Sequence, residues 1–246
     1  MVNIFFEIHS NLPREGPGAN VSTKQAFLTL QDLTAEPRIL DVGCGPGMQT
    51  IMLAKMSNGK ITALDNHQPF LDYLKNQAIK EGVSDRISLV NGDMRDLKFD
   101  AKSFDLIWAE GAIFIIGFEK GIRDWRRLLA DKGYLVVSEL CWLKDNPPEE
   151  IREYFAEGYQ AIKTIKENLE IVRKANYRLI SNFVLPDESW WNNYYTLIAS
   201  KIPSLRTKYS EDEEALAFLD CEELEMEMFR KYSKYYGYVF YIMQVE

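Results

Sequence analysis

Three glycines spaced two apart, Gly43, Gly45 and Gly47, close the stretch ILDVGCGPG behind one aspartate, Asp41. A backbone that bare can turn tightly and let a ligand approach it, because no Cβ stands in the way. Asp65 ends the next apolar run, ITALD, 24 residues after Asp41, and Asn66 follows it. A carboxylate at such a point can accept hydrogen bonds from both hydroxyls of a ribose. A third run leads into NGDM, where Asp93 can take an adenine amino group and Met94 can cover the ring face. One nucleoside would then be held across three successive strand ends. Glu110 stands just past a fourth run, FDLIWAE.

Other chemistries are poorly served. A dinucleotide fingerprint needs a small residue at position 48, which is Met48, and no phosphate-cradling G-x-x-x-x-G-K-[ST] occurs. His9 and His67 lie far apart without a second ligand cluster, so no metal site is expected. Cys44, Cys141 and Cys221 fit no CxxC pair and no disulfide framework. Cys44 reads as small buried filler, since no histidine stands near it in sequence. The formal net charge of −8 argues against a broad phosphate-binding surface and so against a nucleic-acid partner. RDWRRLLADK, from Arg123 to Lys132, is the one basic stretch of note and reads as the solvated face of a helix. With no signal-like start and no apolar run near ~20 residues, a reduced cytoplasmic protein without a membrane span is expected.

Strand ends in a row require a sheet. The 246 residues suit one large α/β domain, and 46% hydrophobic residues suffice for its core. RILDVG reads as a first strand, followed by MQTIMLAKM as a helix. KITALD, ISLVNG, FDLIWAE and YLVVSEL read as strands two to five. Between them lie the helices QPFLDYLKNQAIKEG, ended by Gly82, and GIRDWRRLLADKG, ended by Gly133. These runs are short and continuously apolar, as in a parallel sheet covered on both faces. Right-handed crossovers make it a doubly wound open sheet, whose ligands bind beyond the carboxyl ends of the strands.

The flanks are less regular. NLPREGPGAN is a loop, and STKQAFLTLQDL a helix with Ser22 as its cap. A helix with Pro148 in its first turn should run to about Lys174. RLISNFVL reads as a sixth strand, and PDESWWNNYYTLIASKIP as aromatic-rich and only partly regular. A long helix follows, with Ser210 and Glu213 as a capping box and Gly237 as its end. YVFYIMQV closes the chain as an antiparallel strand beside the sixth.

ILDVGCGPG, ITALD, GDM and FDLIWAEGAI resemble the successive motifs of class I S-adenosylmethionine-dependent methyltransferases. LPREGPG, EGAIFIIGFEKG and YYGYVFYI further resemble a bacterial group of small-molecule type. The resemblance implies a seven-stranded, mostly parallel sheet of order 3-2-1-4-5-7-6 with the last strand antiparallel, and helical cap elements. It implies one methyltransferase domain over 1–246: a lid at 1–35, a cofactor-binding half at 36–142, cap insertions at 143–176 and 186–209, and remaining sheet and helix at 177–185 and 210–246. S-adenosylmethionine would be the cofactor and S-adenosylhomocysteine its product. Gly43, Gly45 and Gly47 would flank the methionine part, and Asp41 would orient that loop or catch the amino group. Gln49 would reach the carboxylate, Asp65 the ribose with Asn66 beside it, and Asp93 and Met94 the adenine. Glu110 would meet the cofactor's amino end or the substrate, and Pro17 and Gly18 would belong to the lid.

The acceptor expected is a partly apolar small molecule in a closed pocket. Ile113, Phe114, Trp142, Trp190, Trp191 and Tyr194 are the candidates to line it, against the alternative of ordinary cap packing. No histidine stands where a base is needed. Glu110 is the candidate, with Glu139 or a cap tyrosine behind it. The rival readings are a protein or nucleic-acid methyltransferase and a non-catalytic cofactor-binding module. YSKYYGYVFY serves equally as a homodimer contact or as a packed sheet edge.

Overall fold

The computed structural model describes residues 2–246. Four parallel strands, β1 (Arg38–Val42), β2 (Lys60–Asp65), β3 (Ile87–Asn91) and β4 (Phe104–Ala109), lie where the short apolar runs placed them. β5 (Leu129–Trp142) runs parallel beside β4, and the two-residue β6 (Lys163–Thr164) pairs with its end. β7 (Tyr177–Val184) and β8 (Tyr236–Val245) finish the sheet, with β8 antiparallel to both β5 and β7. The order is β3-β2-β1-β4-β5-β8-β7, which is the expected order once the extra β6 is counted. The chain winds outward from β1 to β3 and then returns to the other side of β1 at β4. The switch point, and with it the ligand crevice, therefore lies beyond Val42 and Ala109.

Both faces of the sheet are buried, and alternate residues serve alternate faces. Leu106, Trp108 and Val136 face one core, and Ile107, Ala109 and Val137 the other. The first core is covered by α1 (Val2–His9), α2 (Asn20–Phe27), α3 (Met48–Met56), α9 (Thr196–Lys208) and α10 (Glu213–Tyr232). α5 (Phe118–Trp125) and α7 (Ile165–Lys174) cover the second. α4 (Gln68–Lys80) closes a small cluster around Cys44 and Leu74. α6 (Glu149–Gly158) and α8 (Glu188–Trp190) belong to the cap.

Several local expectations are corrected. α1 was not foreseen, and α2 begins at Asn20, so Ser22 is a buried helix residue rather than a cap. The helix expected to end at Gly133 stops at Trp125. A single 3-10 turn follows, and Leu129 is captured as the ladder partner of Phe104. The helix expected from Pro148 to Lys174 is two, α6 and α7. It breaks because Lys163 and Thr164 pair with Cys141 and Trp142, and Thr164 with Glu167 then caps α7 reciprocally. The partly regular stretch is helical from Glu188 through a π turn at Trp191–Tyr195 into α9, which holds Pro203. α10 is capped by Asp212, whose side chain accepts from the Ala215 N–H at 3.0 Å, rather than by Ser210. Gly237 lies inside β8 and does not end the helix.

Candidate functional site

The glycine loop docks on the end of β2. The N–H groups of Gly43 and Cys44 donate to the Leu64 carbonyl at 2.8 and 3.0 Å. Gly43 holds φ +69°, and a Cβ there would sit 2.6 Å from that of Ala112. Gly47 holds φ +87°, and a Cβ would run into the Leu74 side chain. Both positions thus forbid a side chain by conformation and by space. The Gly45 N–H donates to Asp65 Oδ2 at 2.8 Å, and the His67 N–H to Asp65 Oδ1 at 2.9 Å. Each carboxylate oxygen of Asp65 keeps a further lone pair for a ligand.

A cleft of about 1110 Å³ opens over these strand ends. Gly43, Gly45, Asp65, Asn66, Asp93 and Met94 form one wall of it. Asp93 is exposed and steadied by the Arg95 N–H, which donates to Oδ1 at 2.8 Å. The amino-terminal segment contributes Phe6, His9, Glu15 and Pro17. Phe6 lies flat on His67, with ring centroids 4.0 Å apart. The far end of the cleft is aromatic, and Phe114, Trp190 and Tyr194 are in it, joined by Tyr154, Tyr159, Tyr195, Tyr236 and Tyr238.

The other expected residues stand elsewhere. Asp41 is fully buried beneath the loop, where Oδ2 accepts from Thr50 Oγ1 at 2.5 Å and Oδ1 has no partner among the described residues. Burial pushes its carboxyl up to about 7, against the opposing Thr50 bond. Gln49 Nε2 donates to the Cys44 carbonyl at 2.9 Å and holds the loop from behind. Gly47 is the helix entry, not a cleft wall. Gly18 ties the amino-terminal loop to the cap, its N–H donating to the Ser189 carbonyl and its carbonyl accepting from Asn193.

Glu110 is enclosed. Oε2 accepts from Arg14 Nη1 at 2.6 Å, and Oε1 accepts from Thr23 Oγ1 at 2.7 Å and Trp108 Nε1 at 2.8 Å. Its side chain is 3% exposed, and that of Arg14 is 4%. With both oxygens engaged by the protein, Glu110 does not line the main cleft. Glu110 and Arg14, with Gln49 and Gly45, line a side cavity of about 50 Å³ behind the loop. Glu139 is also withdrawn: it is buried behind Tyr159, whose hydroxyl donates to Oε1 at 2.5 Å, and burial pushes its carboxyl up to about 7.

Three of the pocket candidates do not reach the cleft. Ile113 is buried in the second core with α5, and Trp142 packs edge-on against Phe155 at 5.4 Å. Trp191 turns outward, where the Arg230 guanidinium covers it at 4.8 Å. Trp190 and Tyr194 are four apart and share a helix face, whereas Trp191 does not.

Groups from distant segments, without motifs of their own, join the site as well. Arg14 is the only cation in LPREGPG, which was its sole signal. His9 is 3% exposed, with Nδ1 3.0 Å from Glu15 and Nε2 3.9 Å from Glu222. Burial alone would lower its pKa, but the two carboxylates outweigh this and hold it up at about 9. Glu225 accepts from the Tyr195 hydroxyl at 2.8 Å, and burial together with Glu222 pushes its carboxyl up to about 7.

Residues 39–133 match a family model described as a methyltransferase domain. A sterol 24-C-methyltransferase from Neurospora crassa is 26% identical over 77% of this chain and 53% of its own length. The chain spans about half the length of the first curated relatives it matches. A solved S-adenosylmethionine-dependent methyltransferase from Geobacter sulfurreducens, in complex with S-adenosyl-L-homocysteine, superposes with a TM-score of 0.85 at 21% identity, covering 99% of this chain and 98% of that one. A solved 4+2-cyclase also superposes, with a TM-score of 0.74 at 18% identity, covering 99% of this chain and 92% of that one. Likeness at these identities establishes the fold. Among the described residues, no helix is long and apolar enough to cross a membrane.

Proposed function

We propose that the chain moves a methyl group from S-adenosylmethionine to a small-molecule acceptor, a reading supported by the match of residues 39–133 to a methyltransferase domain and by the fold it shares with solved methyltransferases. The observation that carries this reading is the Asp65 carboxylate. It stands at the end of β2, accepts one backbone N–H on each oxygen, and faces the cleft beside the two glycines. The lone pairs left over suit the two hydroxyls of a ribose. Asp93 and Met94 lie next along the wall for the base, and the loop at Gly43 leaves room for the methionine chain.

When bound, the sulfonium supplies an activated methyl group. What the chain adds is placement: acceptor, methyl carbon and sulfur held in line, which recovers roughly 7–11 kcal/mol of barrier in well-oriented systems. Transfer discharges the sulfonium, so a carboxylate packed on the sulfur would favour the ground state. Asp65 and Asp93 sit at the nucleoside end, and the Glu110 charge is already paired with Arg14. Residues 1–35 serve as a lid, because α1 and its loop supply one side of the cleft and Phe6 stacks on His67. The acceptor occupies the aromatic end between Phe114, Trp190 and Tyr194. A net charge of −8 disfavours a nucleic-acid acceptor.

The test is incubation with methyl-labelled donor in a mixed extract of metabolites, protein and RNA. Label in small molecules supports the proposal. Label in protein or RNA, or none despite cofactor binding, overturns it.

A further inference from the structure

Methyl transfer to a hydroxyl releases a proton, and the two carboxylates nearest the switch point differ in their fitness to take it. Glu110 is held by three donors and lies off the main cleft. Glu139 is held by one. β5 carries it past the end of its neighbouring strand: Val137 pairs with Ala109, the last residue of β4, so Glu139 stands two residues beyond, on the lip of the crevice. Its carboxyl is buried, and the Tyr159 hydroxyl donates to Oε1 at 2.5 Å. Oε2 has no partner among the described residues. A buried carboxylate with a single neutral donor stays basic, because burial disfavours its charged form. Lys163 on β6 also faces it and favours the charge. Cys141 on β5 and Tyr238 and Tyr241 on β8 face it as neutral groups.

Tyr159 joins this enclosed base to the cleft. It lines the cleft, and its ring meets Phe114 edge-on at the aromatic end, with centroids 6.0 Å apart. A phenol has one proton, and this one is spent on Glu139. What remains for the cleft is a lone pair, so a ligand group that meets it must be a donor. Burial and Glu139 both push the phenol's own pKa up, so it keeps its proton until another arrives. Among donors that can take a methyl group, a hydroxyl is the one a base serves at the moment of transfer. A neutral amine attacks with its free lone pair and sheds its proton to water afterwards, whereas an alcohol or phenol must lose its proton as the new bond forms.

We propose that the acceptor presents a hydroxyl to Tyr159, and that Tyr159 and Glu139 form a relay that removes its proton. The acceptor O–H passes its proton to Tyr159 Oη as Tyr159 passes its own to Glu139 Oε1. The acceptor oxygen forms the C–O bond with a lone pair, and the electron pair of the broken C–S bond goes to sulfur. Glu139 ends as a neutral carboxyl, which burial favours, while the positive charge on sulfur is discharged. Tyr159 is the group that meets the acceptor, and Glu139 acts through it. The inference rests on the methyltransferase reading and specifies the substrate class and the proton path of that same site.

The experiment uses the whole protein, a methyl-labelled donor and a metabolite extract, and reads the rate at which label enters small molecules across neutral pH. The native rate should rise with pH through about 7, as Glu139 loses its proton, and then level off. Tyr159→Phe and Glu139→Gln should each slow it about a hundredfold. The double variant should be no slower than either, because the two groups act as a unit. The rise with pH should vanish in Glu139→Gln, although Asp41 and Glu225 still titrate in the same range. Calorimetry should find S-adenosylhomocysteine affinity unchanged in every variant, and magnetic resonance should place the transferred methyl on oxygen. A Tyr159→Phe rate within about threefold of native, a pH profile that survives Glu139→Gln, additive losses, or a methyl on nitrogen, sulfur or carbon overturns this inference alone. Lost cofactor affinity in Tyr159→Phe would make the pair structural and overturns it as well. No label in small molecules overturns the methyltransferase reading and this inference with it.

Discussion

The guanidinium of Arg14 lies 2.6 Å from the carboxylate of Glu110, although 96 residues separate them in the chain. Both are almost wholly buried, so neither charge has water to fall back on. Arg14→Ala leaves the Glu110 charge enclosed without its counter-ion, and the expected loss of stability is roughly 3–5 kcal/mol. Arg14→Met combined with Glu110→Gln should recover most of it. Chemical denaturation measures both. An Arg14→Ala loss below about 1 kcal/mol, the range of an exposed pair, contradicts the account.

The glycine loop predicts an order of tolerance. Gly45→Ala meets only the Glu15 side chain, at 3.5 Å, and bears chiefly the cost of its positive φ, about 1–2 kcal/mol. Gly47→Ala bears that cost and must also displace Leu74 in the cluster under α4. Gly47→Ala should therefore lower the denaturation midpoint more than Gly45→Ala. The reverse order would show that the loop does not pack on Leu74.

Asp41 predicts a pH signature. Its ordinary value is 3.8, and burial raises it to about 7 in the folded chain. Between those limits the native state keeps a proton that the unfolded state has lost. Stability from this group is therefore complete below pH about 4 and declines as pH rises to about 7, by up to about 1.4 kcal/mol per pH unit. Glu139 and Glu225 titrate in the same direction, so the comparison must be with Asp41→Asn. The stability of the native protein relative to Asp41→Asn should fall across this window and stay level above it. A difference independent of pH would mean that Asp41 is ionised when buried.

Thr164 predicts a local effect. Its side chain accepts from the Glu167 N–H, and Glu167 Oε2 accepts from the Thr164 N–H at 2.8 Å. Thr164→Ala should cost about 1 kcal/mol, read as a small drop in midpoint without a change in cofactor affinity. A change in affinity instead would place the start of α7 in the site.

What was legible in the sequence follows from distance along the chain. Gly43, Gly45, Asp65, Asn66, Asp93 and Met94 could be read as one wall because each stands at the end of a short apolar run, and a parallel sheet puts such ends side by side. Strand order came from the family resemblance of the motifs and not from the apolar runs themselves. Arg14 and His9 were not, because the loop and helix that carry them take their place only through packing with α9, α10 and the cap. Leu128 and Leu129 extend a helical stripe, and only the pairing of Leu129 with Phe104 turns that stripe into a strand. Trp190 and Trp191 are adjacent, so which one enters the cleft depends on the π turn between Trp191 and Tyr195. Thr164 and Glu167 did carry a readable signal, the T-x-x-E of a helix start, inside what otherwise looked like one helix.

The central claim is that Asp65 grips the ribose of S-adenosylmethionine beside the glycine loop. Calorimetric titration with S-adenosylhomocysteine tests it most directly, comparing the native protein with Asp65→Ala and using NAD as the competing ligand. The account predicts binding of S-adenosylhomocysteine and not of NAD. It also predicts about a hundredfold loss in Asp65→Ala, the worth of two hydrogen bonds to a charged acceptor. Unchanged affinity in Asp65→Ala, or binding of NAD in place of S-adenosylhomocysteine, would contradict it.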